Sequence, residues 1–308
     1  MYRAFFLTLA RYRVVKKLVL MCPVTNRLVK RFVAGSSWDD ARVVIASQLD
    51  KGLKVSLNYL GSDIRTAEQA DRTADMYITM LHQIHNEGWG KDVDISVSLN
   101  TLGLLLHDGE QLAVGHAARI AAAAREAGTT VTLEMEGLAT VAKTLRVVQS
   151  LRQSYPEVGG SLQANLRRTD ADCRTLDATT SRLRLTKGSF KAPSQAAFSD
   201  KHEVDLSYVR CLKTLMEGVG TPLVATHDPV MIEIAQELAA HSNRGLRDFE
   251  FQMLYGVRTV EQERLVDVGH TVRVYVPFGE NWYSYVVRRL AQRPANAIFF
   301  LRALLGAC

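Results

Sequence analysis

Eight short runs of Val, Ile, Leu and Phe punctuate this chain, each separated from the next by a longer stretch rich in alanine and charge: LKVSLNYL (53–60), VDISVSLN (93–100), TTVTLEM (129–135), SLQAN (161–165), RLRLTK (182–187), PLVAT (222–226), FEFQML (249–254) and TVRVYVPF (271–278). Runs of that length and composition predict strands, while the intervening segments 67–86, 112–127, 205–218 and 231–241 carry apolar residues at helical spacing and mostly end near Gly or Asn. Alternation of this kind predicts βα units with parallel strands. Eight such units can close on themselves, so the expected fold is α/β, a (β/α)8 TIM-type barrel. An open doubly wound sheet is the rival, but it wants a GxGxxG turn after its first strand, and Asn58-Tyr59-Leu60-Gly61 offers a single glycine. With 308 residues, 47% of them apolar, the chain can fill one large core. No Pro/Gly/Ser linker interrupts the pattern, so one catalytic barrel is expected over residues 41–308, with residues 1–40 as an N-terminal helical extension packed on it.

The formal charge of +6 is local: Lys and Arg place eight charges within residues 1–31, where no acid occurs, leaving 30 bases against 32 acids beyond. An amphipathic helix capping the fold accounts for that opening; a segment lying on an anionic membrane surface, and so a peripheral membrane contact, is the second reading. With basicity confined to one end, no nucleic-acid partner is expected. Arg11, Arg13, Lys16 and Lys17 break the apolar runs, which are too short to span a bilayer and lack a secretory core, so the expected location is the cytoplasm, with membrane association through the basic end as its variant. Cys22, Cys173, Cys211 and Cys308 show neither metal nor dithiol spacing and are expected as free thiols. His82, His85, His107 and His116 gain no carboxylate or cysteine at ligand spacing, so no metal is expected.

In a barrel, chemistry collects where strands end. The strand-final residues here are unusually polar and include Asn58, Ser98, Glu134, Gln163, Asn165, Thr226, His227, Gln252 and Tyr275. Buried polar groups without partners cost free energy, so convergence of this set suits a large ligand with many hydrogen-bonding groups. In RLRLTKGSF, alternation puts Arg182, Arg184 and Thr186 on one face and Leu183, Leu185 and Lys187 on the other, before Gly188 allows close backbone approach. Lys187 fits either a Schiff base, as in an aldolase-type barrel, or a phosphate or flavin contact, and spacing leaves both open. The stretch VRVYVPFGENWYSYVVRR (272–289) adds a helix after the last strand; with Trp282 in its first turn, Tyr285 and Arg289 share one face and Arg288 lies three residues from Tyr285. Adjacent guanidiniums facing a pocket suit an anion, most simply a carboxylate held bidentately, whereas a solvated basic face is the plain alternative.

Together SLQANLRRT, RLRLTKGSF, TPLVATHDP, FEFQMLYGVR, VRVYVPFG and WYSYVVRRLAQRPAN resemble the proline dehydrogenase family, a flavin-dependent (β/α)8 barrel, from about residue 26 to 305. The resemblance implies noncovalent FAD, with Gln163, Arg184, Lys187, Gly188, Ser189, Thr226, His227 and Gln252 at cofactor-contacting positions. It implies a substrate surrounded by Tyr275, Tyr285, Arg288 and Arg289, the two arginines gripping its carboxylate, with Ser98, Glu134, Leu185 and Phe190 completing the pocket. Arg184, at the flavin N5 edge, joins Tyr275, Tyr285, Arg288 and Arg289 as the expected catalytic group. Electrons would pass to a quinone or O2.

Several mouth positions depart from the family pattern. The lysine of its K-L-S/T segment is Ser98 in SVSLNTLG, its third-strand aspartate is Glu134, and its KGAY is KGSF, so that Phe190 lacks a hydroxyl. Asn58 replaces the acid of the first strand, Gln292 the glutamate after the double arginine, and Asn165 the tyrosine of QAYLRR. Losing a lysine beside a carboxylate removes a contact worth about 1.5–3 kcal/mol, roughly one to two decades in affinity. The expected function is FAD-dependent oxidation of the C–N bond of a carboxylate-bearing amine by hydride transfer to flavin N5. The substrate would be L-proline, or a proline-like or hydrazine-like amino-acid derivative of a biosynthetic pathway. A Schiff-base aldolase-type barrel through Lys187 and a flavin-binding pseudoenzyme are the alternatives.

Overall fold

The computed structural model describes residues 29–177, 181–188, 192–283, 285 and 286. Most of the expected N-terminal extension lies outside the described residues, as do Ser189, Phe190, Arg288, Arg289 and Gln292. Eight strands, β1 (Lys54–Tyr59), β2 (Val93–Ser98), β3 (Val131–Glu134), β4 (Gly159–Gln163), β5 (Arg182–Thr186), β6 (Thr221–Ala225), β7 (Glu250–Leu254) and β8 (Thr271–Phe278), pair in chain order into a closed barrel. All pairs are parallel, and closure runs the length of β1, from Lys54 opposite Arg273 to Tyr59 opposite Phe278. Helix α1 (Trp38–Leu49) precedes β1, and α2 (Ala67–Asn86), α3 (Gly109–Glu126), α4 (Val141–Arg152), α5 (Thr169–Leu176), α6 (Lys201–Glu217), α7 (Pro229–His241) and α8 (Thr259–Asp267) follow the first seven strands in turn. The predicted barrel is the observed one.

Local chemistry explains the element boundaries. Before α2, Thr66 Oγ1 accepts from Gln69 N while Gln69 Oε1 accepts from Thr66 N, a reciprocal cap that satisfies two amides with no intrahelical partner. Ala70, Ala74, Tyr77, Leu81 and Ile84 then recur every three or four residues and bury one stripe against the sheet. Past its end, Gly88 adopts φ 71°, the left-handed conformation that terminates helices most readily at glycine. Helix α1 has the same device in Ser37 and Asp40, so it runs unbroken across residue 40 and packs against β1 and β8 as part of the barrel wall. Just before it, Ala34 N donates to Pro277 O and Gly279 N to Gly35 O, both at 2.9 Å, which ties this segment to the carboxyl end of β8.

The strand period of two divides the molecule into an apolar shell and a polar lumen. Val55, Leu57, Ile95, Leu133, Leu183 and Val274 belong to the layer between sheet and helices. Their neighbours Ser56, Ser96, Glu134, Arg184 and Tyr275 instead bond one another across the barrel axis. At the amino-terminal end, Arg273 grips Glu250 through Nε at 2.7 Å and Nη2 at 3.2 Å, with Asp94 3.4 Å from Arg273 and 3.6 Å from Arg182. Burial raises the Glu250 carboxyl, but Arg273 and Arg182 outweigh it and hold the group down to about 2. A cavity of about 350 Å³, lined by Lys54, Asp94, Arg182, Glu250 and Arg273 among others, opens at this end. Barrel chemistry belongs to the other.

Candidate active site

Arg184 is the hub of the carboxyl-terminal mouth. It is only 5% exposed. Its Nε donates to Gln252 Oε1 at 2.5 Å, Nη1 to Ser96 Oγ at 2.6 Å and Nη2 to Ser56 Oγ at 3.1 Å, so β1, β2 and β7 together fix one guanidinium projecting from β5. Glu134 stands 3.7 Å from Nη1 and accepts from Ser96 Oγ at 2.8 Å and from the Tyr275 hydroxyl at 2.7 Å. Arg184 also lies 5.7 Å from the Tyr275 ring centroid, within cation–π range. Burial raises the Tyr275 phenol far above its ordinary range, and Glu134 and Tyr285 raise it further. Tyr275 is therefore a fixed neutral hydroxyl. Its one proton is committed to Glu134, which leaves its oxygen as an acceptor toward the mouth.

Around this hub lie the other predicted positions. Gln163 Nε2 donates to Met135 O at 3.0 Å, Thr226 Oγ1 accepts from Asp228 N at 3.1 Å, and His227 Nε2 accepts from Leu254 N at 2.8 Å. A backbone amide only donates, so neutral His227 carries its proton on Nδ1. Gly188 has φ 100°, and a Cβ there would sit 2.0 Å from Asn165 Oδ1 and 3.0 Å from Gln163 Oε1. Lys187 Nζ bonds Asp205 at 2.5 Å and Asp228 at 2.7 Å. The Lys187 ammonium, against a smaller burial penalty, draws the Asp228 carboxyl below its usual range. A lysine engaged by two carboxylates stands in an ion-paired setting, unlike the desolvated amine a Schiff base needs.

Ser98 ends β2, where its Oγ accepts from Asn100 N at 3.2 Å and starts the 3-10 turn Leu99–Leu102. Tyr285 is 9% exposed, in a helical segment after β8. One predicted pocket residue is not brought to the mouth: Leu185 shares parity with Leu183, within the shell, and stands on the face of β5 opposite Arg184. Ser189, Phe190, Arg288 and Arg289 lie outside the described residues. Ser56, Ser96 and Glu250 hold the hub although the sequence reading passed over them. Their signal was a polar residue at every second position of otherwise apolar strands.

The proline dehydrogenase family model matches residues 41–300. Proline dehydrogenase 1 of Bacillus subtilis is 34% identical over 281 residues, covering 90% of each chain. The chain belongs to the proline dehydrogenase family. Proline dehydrogenase of Deinococcus radiodurans is likewise 34% identical over 280 residues, at 90% of each chain. Among solved structures, proline utilization A from Bdellovibrio bacteriovorus, inactivated by N-propargylglycine, matches with a TM-score of 0.79 and 23% identity over 86% of this chain and 32% of that one. Proline utilization A from Corynebacterium freiburgense gives 0.76 and 18% over 98% and 34%. The chain thus spans about a third of those larger proteins, and the likeness to them shows the fold.

Membership makes this chain an FAD-dependent, proline-dehydrogenase-like oxidoreductase, acting on an amino acid and passing electrons to a quinone-type acceptor. The mouth fits the cofactor. Gly188 lets the backbone pass against Asn165 and Gln163 where a Cβ would collide, and Arg184, Gln163, Gln252 and His227 gather at this end the mixed donors and acceptors that would suit a flavin ring edge. No helix among the described residues is long and apolar enough to cross a membrane.

Proposed function

We propose that this enzyme oxidises the C–N bond of a carboxylate-bearing amine. The substrate is L-proline itself or, more in keeping with the altered mouth, a proline-like or hydrazine-like amino-acid derivative made in a biosynthetic pathway. One observation carries this reading: where the family places a lysine, the Ser98 hydroxyl is occupied with the backbone at Asn100, so the mouth lacks that cation while Glu134 remains beside it. A second nitrogen on the substrate would meet that carboxylate better than a second carboxylate oxygen would.

FAD, when bound, supplies the two-electron acceptor for the donor C–H. The chain's own residues do the rest. Arg184 holds a positive charge against the place where negative charge develops, and three bonds keep it from swinging. Tyr275, kept neutral, accepts from a substrate N–H and presses its ring on the substrate, with Tyr285 beside it. Arg288 and Arg289 clasp the carboxylate. Gln163, Lys187, Gly188, Ser189, Thr226, His227 and Gln252 hold the cofactor, and electrons leave to a quinone or to O2. The basic amino terminus would suit contact with the membrane that carries the quinone.

The test is an anaerobic screen of cyclic and acyclic amino acids and their N-amino derivatives for bleaching of the flavin. At least one carboxylate-bearing amine should bleach it, and an N-amino or substituted analogue should do so at lower concentration than proline. A flavin that no amine bleaches would make the protein a binding module. Arg288→Met should weaken substrate-dependent bleaching by about tenfold or more at unchanged flavin content. An equal loss of flavin would contradict the role given to this residue.

A further inference from the structure

The hydrogen bonds running up the barrel axis have a direction. Arg273 donates to Glu250, and Gln252 Nε2 donates to the same Glu250 Oε1 at 2.6 Å. A carboxylate only accepts, so it compels Gln252 to turn its NH2 downward. The amide oxygen must then face up, where it meets Arg184 Nε at 2.5 Å. The flipped amide has the same shape but would set its own N–H groups against the guanidinium and leave Arg184 Nε without an acceptor. Ser56 and Ser96 do not share this constraint, because a hydroxyl rotates to suit its neighbour. Only the contact at Gln252 takes its sense from the layer below.

We propose that Glu250 is a positioning residue for the oxidation: as an acceptor-only group it locks the Gln252 amide and thereby fixes the Arg184 guanidinium at the mouth. This rests on the reading of Arg184 as the guanidinium beside the flavin. A plain ion-pair partner for Arg273 would need negative charge and volume alone, whereas the lock needs a group that cannot donate. Two substitutions separate these roles. Glu250→Gln keeps the volume but adds an NH2 that competes with Gln252 for the donor's place. Glu250→Asp loses a methylene yet still only accepts.

The experiment follows the arginine Nε–H signals of nitrogen-15-labelled protein without flavin, the Arg184 signal being the one lost in Arg184→Lys. That proton should exchange slowly in the wild type and in Glu250→Asp, and about tenfold faster or more in Glu250→Gln. Exchange unchanged in Glu250→Gln, or equally fast in Glu250→Asp, overturns the lock. In the holoenzyme, the rate of flavin reduction by amine should fall about tenfold in Glu250→Gln, with amine affinity held within about twofold and Glu250→Asp partly restored. Exchange that responds while reduction rates stay equal overturns the part in the reaction, and with it the flavin-edge reading of Arg184. Wild-type flavin that no amine bleaches refutes the proposed function, yet the exchange comparison still decides the lock. Should Glu250→Gln fail to fold, Arg182→Gln with Glu250→Gln removes one charge of each sign from the lower layer and carries the same comparison.

Discussion

The Ser98 hydroxyl accepts from Asn100 N while Thr101 Oγ1 donates to Ser98 O at 2.7 Å, so this residue shapes the turn that leaves β2 as well as lining the mouth. A lysine cannot cap that turn, but its ammonium can reach a carboxylate. Ser98→Lys should therefore raise the affinity for proline by about tenfold or more, relative to the amine that bleaches the wild type best, as read from the concentration dependence of flavin reduction. Equal affinity for proline before and after would remove the ground for a retuned pocket. Gly188 gives a second residue-scale expectation. With φ 100° and a Cβ position 2.0 Å from Asn165 Oδ1, Gly188→Ala should cost about 1–3 kcal/mol of backbone strain and displace Asn165. The result should be a lower melting temperature without flavin and a reduced flavin content on purification.

At the scale of elements, strands were the legible part because their pattern is doubly marked. In FEFQML, Phe249 and Phe251 are fully buried and stack edge to face at 5.3 Å, while Glu250 and Gln252 take the lumen side. The alternation was visible in the residue order, but the partners of Glu250 come from β5 and β8, and a single sequence does not give the register that joins them. Leu185 failed for the converse reason: its place in the pocket came from the resemblance, whereas the chain's own alternation already set it opposite Arg184. The α1 boundary was missed because Ser37 and Asp40 lie in a polar stretch, GSSWDD, that reads equally well as loop. Their reciprocal cap is the element's start signal, with Asp40 N donating to Ser37 Oγ at 3.2 Å and Ser37 N to Asp40 Oδ2 at 3.1 Å. Ser37→Ala should therefore cost about 1 kcal/mol in denaturant unfolding. Because α1 packs on both β1 and β8, the loss should appear in the global transition and not as a separate early phase.

For the whole molecule, a barrel with a polar lumen places its electrostatics at the centre of its stability. Asp94, Arg182, Glu250 and Arg273 sit on four different strands, so their ion pairs tie together parts of the chain as distant as β2 and β8. Breaking such a group at one member strands the opposite charges in a water-poor interior. Glu250 makes the consequence measurable through pH. Its folded value of about 2 lies below the ordinary 4.5, so the unfolded chain takes up the proton first as pH falls. Its contribution to stability is then complete above about pH 4.5, declines between 4.5 and 2, and is gone below the folded value. A displacement of this size corresponds to on the order of 3 kcal/mol. In Glu250→Gln, position 250 no longer titrates, so the stability gap between wild type and variant, measured by urea unfolding, should be widest near neutrality and narrow steadily from pH 4.5 downward. A gap that stays constant across that window would mean that the carboxylate is no more stable in the fold than in the unfolded chain, and the charged layer beneath Arg184 would then be packing alone.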